Sequence, residues 1–406
     1  MIFNVSYQLL HNRSLNRFTL SCLLTMFGNG LTYIIMVWML MRIDASVTSI
    51  AILMTCYWLP NVLFGPLFGV FADRYSGKNL LRSVNGLRAV VVLAFAWYFQ
   101  TNLSVQSIYA LAAITGILQT IYLSTVMTFV RELVDESDLI YANSLVDIAY
   151  EIGYILGTGS AGLIMSFLAI PTCFAIDGAC YLIAFALLHV KSQPKSNNLK
   201  NHSFLEQLKQ GCNYITSRPA LLLIYLVQTL FFISYMTAPV LLAPYATLVL
   251  HANIAQFGLL EAILSIGIIF GSLLSPWLAS LYSLTRLIMV YIFIGIIAFC
   301  FFSHTTNLNW AIFYHFLLGY SFSAWALITT LLQEMTDLKY QGRVQSLFNS
   351  VSGILIIIFY YMFTRWKNWP ISTLYSGEVI LLIIAAVIMM IFSLYKSKNK
   401  AEAHWS

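Results

Sequence analysis

Twelve apolar runs, each long enough to cross a bilayer, leave this chain few alternatives to a bundle of membrane helices. They fall near residues 18–41, 47–72, 80–100, 105–130, 141–168 and 170–190, then near 219–247, 253–280, 285–303, 307–333, 341–364 and 372–395. About 20 apolar residues match the hydrocarbon thickness. A helix satisfies its own backbone polar groups, which the lipid interior requires. Only 9% of the 406 residues are charged and 60% are hydrophobic, whereas a soluble domain carries roughly 25% charged residues. The expected fold class is therefore an all-α membrane protein, with twelve transmembrane helices in two six-helix bundles.

Loop charges test that count. With an inside N-terminus, the inner segments hold Arg13, Arg17, Arg74, Lys78, Arg82, Arg131, Lys191, Lys195, Lys200, Lys209, Arg218, Arg286, Lys339, Arg343, Lys396, Lys398 and Lys400. The outer segments hold Arg42, Arg365 and Lys367, and Arg88 falls within a span. Inner loops of membrane proteins are enriched in lysine and arginine. A miscounted helix would scramble the asymmetry in half the chain. Twelve spans with both termini cytoplasmic, in the cell inner membrane, is the expected topology. The net charge of +6 concerns that topology and not nucleic acid, because no basic stretch lies outside short loops.

Residues 1–190 are expected to form the N-terminal bundle, 191–218 a cytoplasmic linker, and 219–406 the C-terminal bundle. Lys191–Asn198 reads as flexible. Phe204, Leu205, Leu208, Cys212 and Ile215 recur at helical spacing, which predicts a short amphipathic helix on the inner surface. The six cysteines are scattered, without a C-x-x-C or a Cys/His cluster, so neither a disulfide framework nor a metal site is expected. No small-residue cleavage signal follows the first run, so it is expected to be a retained helix.

Charges at membrane depth need a partner, water or a proton. Asp147 and Glu151, four apart, share one face of the fifth span. Glu151 lies ten residues beyond Tyr141, about 15 Å along the helix, and is a proton-coupling candidate with Asp147 beside it. The alternative is a structural acid paired with a neighbouring helix. Glu261, in the eighth span, is the second-half candidate. Asp177 and Arg88 are expected to pair structurally on peripheral helices. Glu378 is expected near the outer headgroups, with no special role.

Spans 1, 4, 7 and 10 carry amides, hydroxyls and aromatics at depth. Asn29, Tyr33, Gln119, Tyr122, Gln228, Tyr235, His315 and Trp325 are candidates for lining a substrate cavity. Aromatic walls with a few polar anchors suit an amphipathic organic ligand. Interhelical hydrogen bonding is the alternative for most of them. His315 has the sharpest chemistry, since histidine titrates near neutrality. Gly153, Gly157, Gly159 and Gly162 would admit a neighbouring helix closely. No Walker-type phosphate loop is present, so direct ATP coupling is not supported. No hydrolytic constellation can be argued either; an enzyme is not expected, nor is any cofactor.

The second span ends in Gly65-Pro-Leu-Phe-Gly69-Val-Phe-Ala-Asp73-Arg74-Tyr-Ser-Gly77-Lys78. This G-x-x-x-D-R-x-x-G-K pattern resembles the loop between helices 2 and 3 of major facilitator superfamily transporters. Tyr141–Leu145, Ile176-Asp177-Gly178, Leu208–Gly211 with Arg218-Pro219, and Gly342-Arg343-Val344 follow in order. Together they resemble the branch of macrolide-efflux-type permeases and enterobactin-exporter-like proteins. The resemblance implies the major facilitator fold, two bundles around a central cavity alternately open to either side. It also implies proton-driven export of a small organic molecule. Asp73 and Arg74 would belong to a gate latch, with Gly69 and Gly77 shaping the turn and Lys78 adding charge. In the second half, Ala279 stands where Asp73 stands in the first, so the latch is one-sided. Glu151 stands where a neutral residue is expected.

A proton-coupled exporter of a drug or siderophore, acting as a monomer in the lipid bilayer, is the leading expectation. An importer of a siderophore or nutrient, and a non-transporting receptor or assembly factor, are the alternatives.

Overall fold

The computed structural model describes residues 12–134, 139–190, 204–366 and 368–404. Among them are fourteen α-helices: α1 (Arg13–Ile43), α2 (Val47–Arg74), α3 (Gly77–Tyr98), α4 (Val105–Phe129), α5 (Leu139–Phe167), α6 (Ile170–Leu187), α7 (Phe204–Thr216), α8 (Pro219–Leu248), α9 (Ile254–Leu281), α10 (Leu284–Phe302), α11 (Leu308–Phe322), α12 (Ala324–Glu334), α13 (Leu338–Arg365) and α14 (Ile371–His404). Twelve spans among the described residues are long and apolar enough to cross a membrane. The chain is a multi-pass, all-helical membrane protein. Helix starts follow ordinary capping chemistry. The Asn12 side chain accepts from the Ser14 and Leu15 backbone N–H groups at 3.0 and 3.1 Å, and Ser104 with Ser107 forms a capping box on α4.

The tenth predicted run is not one helix. It breaks at Ser323 into α11 and α12. The Ser323 N–H is shared between the Gly319 and Tyr320 carbonyls, and its hydroxyl donates to Tyr320 O at 2.7 Å. A serine whose side chain competes for helix carbonyls, one turn after a glycine, weakens the ladder there.

The chain divides into two compact units. One takes in Met1–Ala45, Ile52–Lys200 and Asn253–Leu259; the other takes in Ser46–Ala51, Asn201–Ala252 and Leu260–Ser406. In unit 1, α1 packs on α5 and α6, and α3 on α6 and α4. In unit 2, α14 packs on α8 and α10, and α10 on α11. Small residues set these approaches, because lipid offers no hydrophobic drive for helix pairing and close van der Waals contact must supply it. A Cβ at Gly116 of α4 would collide with the Tyr57 carbonyl of α2, and one at Gly319 of α11 with the Leu264 carbonyl of α9. Spans 2 and 4 of each half are thus fastened in the same way, an internal repeat that the side chains scarcely show. Gly319→Val should lower the thermal midpoint in detergent by the equivalent of about 1–3 kcal/mol, the usual cost of overpacking. Gly377→Ala is the control, since nothing lies within 4 Å of its added carbon; equal melting of the two variants would refute the close-packing account.

The amphipathic linker helix α7 is fastened to α13. Its Gly211 leaves no room for a side chain against the Arg343 carbonyl. Tyr214 stacks on Tyr340 at 4.2 Å, with Arg218 3.8 Å over the outer face of Tyr214 and Arg343 5.0 Å over Tyr340. This cation–ring–ring–cation pile is closed by the Asp337 N–H donating to the Tyr214 hydroxyl at 2.9 Å.

Candidate functional site

The charged motif begins inside a helix. α2 runs on to Arg74, so only Tyr75 and Ser76 separate it from α3. The side chains of Gly69, Asp73 and Arg74 lie outside the described residues. Gly77 opens α3, where an added carbon would meet the Phe129 ring at 2.8 Å. The Lys78 ammonium donates to the Val190 carbonyl at 3.4 Å, tying the start of α3 to the end of the first half.

Asp147 and Glu151 lie on the exposed face of α5, with Ile148, Ile152 and Leu156. The opposite face, with Ala142, Val146, Ala149, Gly153 and Gly157, is buried, and Gly153 and Gly157 press on the α1 carbonyls of Leu23 and Phe27. Neither acid hydrogen-bonds a described residue. The expected face-sharing is present, but nothing described pairs with either carboxyl.

The interior of unit 1 is organised by Arg88 and Asp177 instead. Both are buried, at 1% and 0% exposure, with their side chains in the interior of the unit. The Arg88 guanidinium donates to Asn29 Oδ1 at 2.8 Å and to Gln119 Oε1 at 2.5 Å. Asn29 Nδ2 donates to Gln119 Oε1 at 2.8 Å, and the Tyr181 hydroxyl to Asn29 Oδ1 at 3.0 Å. The guanidinium also lies between the rings of Tyr122 and Tyr181, 5.1 and 5.6 Å from their centres. Thr32 donates to Asp177, whose charge lies within electrostatic reach of Arg88. A buried guanidinium is thus held by amides and phenols, with the Asp177 carboxyl within its electrostatic reach, while Arg88 Nε and Asp177 Oδ1 have no hydrogen-bond partner among the described residues. Three cavity candidates, Asn29, Gln119 and Tyr122, are brought together here. Tyr33 is half-buried on α1.

In unit 2, Trp325 and Tyr235 are half-buried among aromatic rings, Trp325 with Phe232 and Phe348 at 5.1 and 5.5 Å, and Tyr235 with Phe322 at 5.2 Å. Gln228 is buried and donates to the Thr329 hydroxyl at 3.4 Å, with its carbonyl oxygen unpartnered among the described residues. His315 is a core residue, 3% exposed, lying 5.2 Å from the Phe302 ring, with neither nitrogen bonded to a described residue. Glu261 is buried at 5% exposure.

One expectation fails outright. Glu378 does not sit among outer headgroups: it is 2% exposed and lies 2.6 Å from the Thr237 hydroxyl of α8. Its burial follows from the packing of α14 between α8 and α10. The available signal was an acid seven residues into an otherwise apolar run.

Comparison with known proteins agrees with this architecture. The Major Facilitator Superfamily family model matches residues 18–360. Macrolide efflux protein A of Streptococcus pyogenes is 24% identical over 324 residues, covering 78% of this chain and 79% of that protein. The staphyloferrin A transporter of Staphylococcus aureus is 26% identical over 176 residues, 42% of this chain. An uncharacterized transporter of Bacillus subtilis, YfiS, is 23% identical over 186 residues, 45% of this chain. Each of these two alignments spans 44% of the relative's own length. Among solved structures, the nucleoside transporter NupG superposes with a TM-score of 0.72 at 13% identity, covering 93% of this chain and 99% of that one. The D-xylose-proton symporter also gives 0.72, at 14% identity, covering 94% and 97%. Twelve membrane helices in two units, the matched family model and these superpositions lead to one conclusion: the chain belongs to the Major Facilitator Superfamily, a membrane transporter and not an enzyme.

Proposed function

We propose that this transporter exports a small amphipathic organic molecule, a drug or a siderophore, by alternating access coupled to protons moving the other way. The similarity to macrolide efflux protein A over most of both chains is the observation that carries the reading. The half-buried aromatic group around Trp325 and Tyr235 supplies the apolar surface such a molecule needs. Asp147 and Glu151, exposed on α5 without a described partner, are the carboxyls free to take up and release protons. Asp73, Arg74 and Lys78, with Gly69 and Gly77, form the gate latch at the junction of α2 and α3. On this reading the protein works as a monomer in the inner membrane with both termini cytoplasmic.

Reconstitution into proteoliposomes with an imposed pH gradient tests the direction. Labelled erythromycin, a macrolide, should accumulate in inside-out vesicles acidified within. Accumulation under the opposite gradient would make the protein an importer, and binding without flux would end the transport reading. Asp73→Asn should slow turnover roughly tenfold, the effect of about 1.4 kcal/mol on a gating barrier, while erythromycin binding persists. Unaltered turnover would remove Asp73 from the latch.

A further inference from the structure

Among the described residues, the spans of unit 2 bury two acids, Glu261 and Glu378, and carry no lysine or arginine at the depth of Glu378. Glu261 and Glu378 each lie seven residues from the start of their helices, Ile254 and Ile371, about 10 Å by the helical rise. The arginines and lysines with described side chains on these spans sit near span ends: Arg286 in the first turn of α10, Arg343 and Arg365 near the ends of α13, and Lys396 toward the end of α14. Unit 1 answers Asp177 with Arg88. Among the described residues nothing equivalent answers Glu378.

The contacts of Glu378 show how it is accommodated. Thr237 Oγ1 lies 2.6 Å from Glu378 Oε1 and 2.8 Å from the Ile233 carbonyl. A hydroxyl has one proton to give. A helical threonine commonly gives it to the carbonyl one turn back, and the carboxyl must then supply the proton between Oε1 and Oγ1. Only a protonated Glu378 lets both short contacts be hydrogen bonds. Its second oxygen has no well-aligned hydrogen-bond partner among the described residues, and the Ser234 hydroxyl lies beside the carboxyl. An ionised carboxylate left so in a membrane interior is far more expensive than a neutral acid.

The surrounding ionisable groups favour the same state. α8 carries no charged residue or histidine, and its Tyr245 hydroxyl donates to the Phe302 and Thr305 carbonyls. α10 offers Arg286 at its start, Tyr291, which bonds Ser275, and exposed Cys300. From α13, the Tyr360 hydroxyl donates to the Met236 carbonyl at 2.9 Å. On α14 itself, the Tyr375 phenol lies within electrostatic reach of both Glu378 and Glu261. A phenol beside the carboxyl offers it no positive charge. His315 of α11 bonds neither acid. Above them, a cavity of about 360 Å³ opens between Tyr245, Ser303, His304 and Pro370–Ser372. Of its lining, the Tyr245 ring packs against Phe302 and Tyr375, at centre spacings of 5.0 and 5.4 Å.

We propose that Glu378, with Thr237 and Ser234, is a proton-binding site of unit 2, loaded in the state seen here and reached from the cavity above it. The proton's place in coupling rests on the export reading; its presence does not. Infrared difference spectra of the reconstituted wild type and Glu378→Gln should show a deuterium-sensitive carboxylic acid band at neutral pH that the variant lacks. Thr237→Val should move that band without removing it. Absence of the band in wild type overturns the proposal, as does a band that Glu378→Gln retains. In vesicles, Glu378→Gln should lose gradient-driven erythromycin accumulation and keep erythromycin exchange, and undiminished accumulation overturns the site's part in coupling. If the wild type accumulates nothing, the export reading falls, and the infrared comparison still decides the site.

Discussion

Arg88→Met should lower the stability of the protein by about 3–5 kcal/mol, the cost of breaking a buried charge pair from one side. Methionine keeps much of the length and none of the charge. It would leave Asn29 Oδ1 and Gln119 Oε1 each short of a donor that Arg88 now supplies. It would also leave Asp177 without the cation within its electrostatic reach. The double variant Arg88→Met/Asp177→Asn should recover part of the loss, because the uncompensated charge goes with its partner. Thermal melting in one detergent, single against double, reads the difference. If Arg88→Met melts with the wild type, the network does not hold unit 1 together.

Glu151→Gln should abolish pH-driven accumulation and leave substrate exchange largely intact. The carboxyl is exposed and bonds no described residue, so the substitution should change stability by no more than about 0.5 kcal/mol, as surface changes usually do. A transport defect would then report lost proton exchange and not misfolding. Melting and gradient-driven flux measured on one preparation separate the two. Unchanged coupled flux would make Glu151 a bystander and shift coupling toward the buried acids of unit 2. The contrast with Arg88 follows from position: one charge is buried among amides and rings, the other lies on an exposed helix face.

Much of this molecule was legible from residue order. Most helix ends fall within a few residues of the apolar runs, because bilayer thickness sets their length and backbone hydrogen bonding sets their type; α14 runs on to His404, past the end of its apolar run. The amphipathic helix at 204–216 was legible from its apolar spacing. The break at Ser323 was not, because it depends on α9 pressing against Gly319 and on a serine hydroxyl choosing a local carbonyl.

Among the candidate site residues, the sequence identified which chemistry was present but not who partners whom. Asn29, Gln119 and Tyr122 were grouped by depth, yet it is the fold that gathers them around Arg88. His315 had attractive chemistry, and packing put it against Phe302 in a core. Glu378 lies near a helix start in the sequence, and the packing of α8 on α14 buries it against Thr237.

By itself the sequence determined the solvent, the number of spans and the charge asymmetry of the loops. These are one-dimensional quantities that lipid thickness and loop charge impose on any chain. Tertiary structure alone decided which buried acid lies within reach of a base and which lies against a threonine hydroxyl. That outcome depends on side chains from four or five helices meeting at one depth, and spacing along a single helix does not contain it.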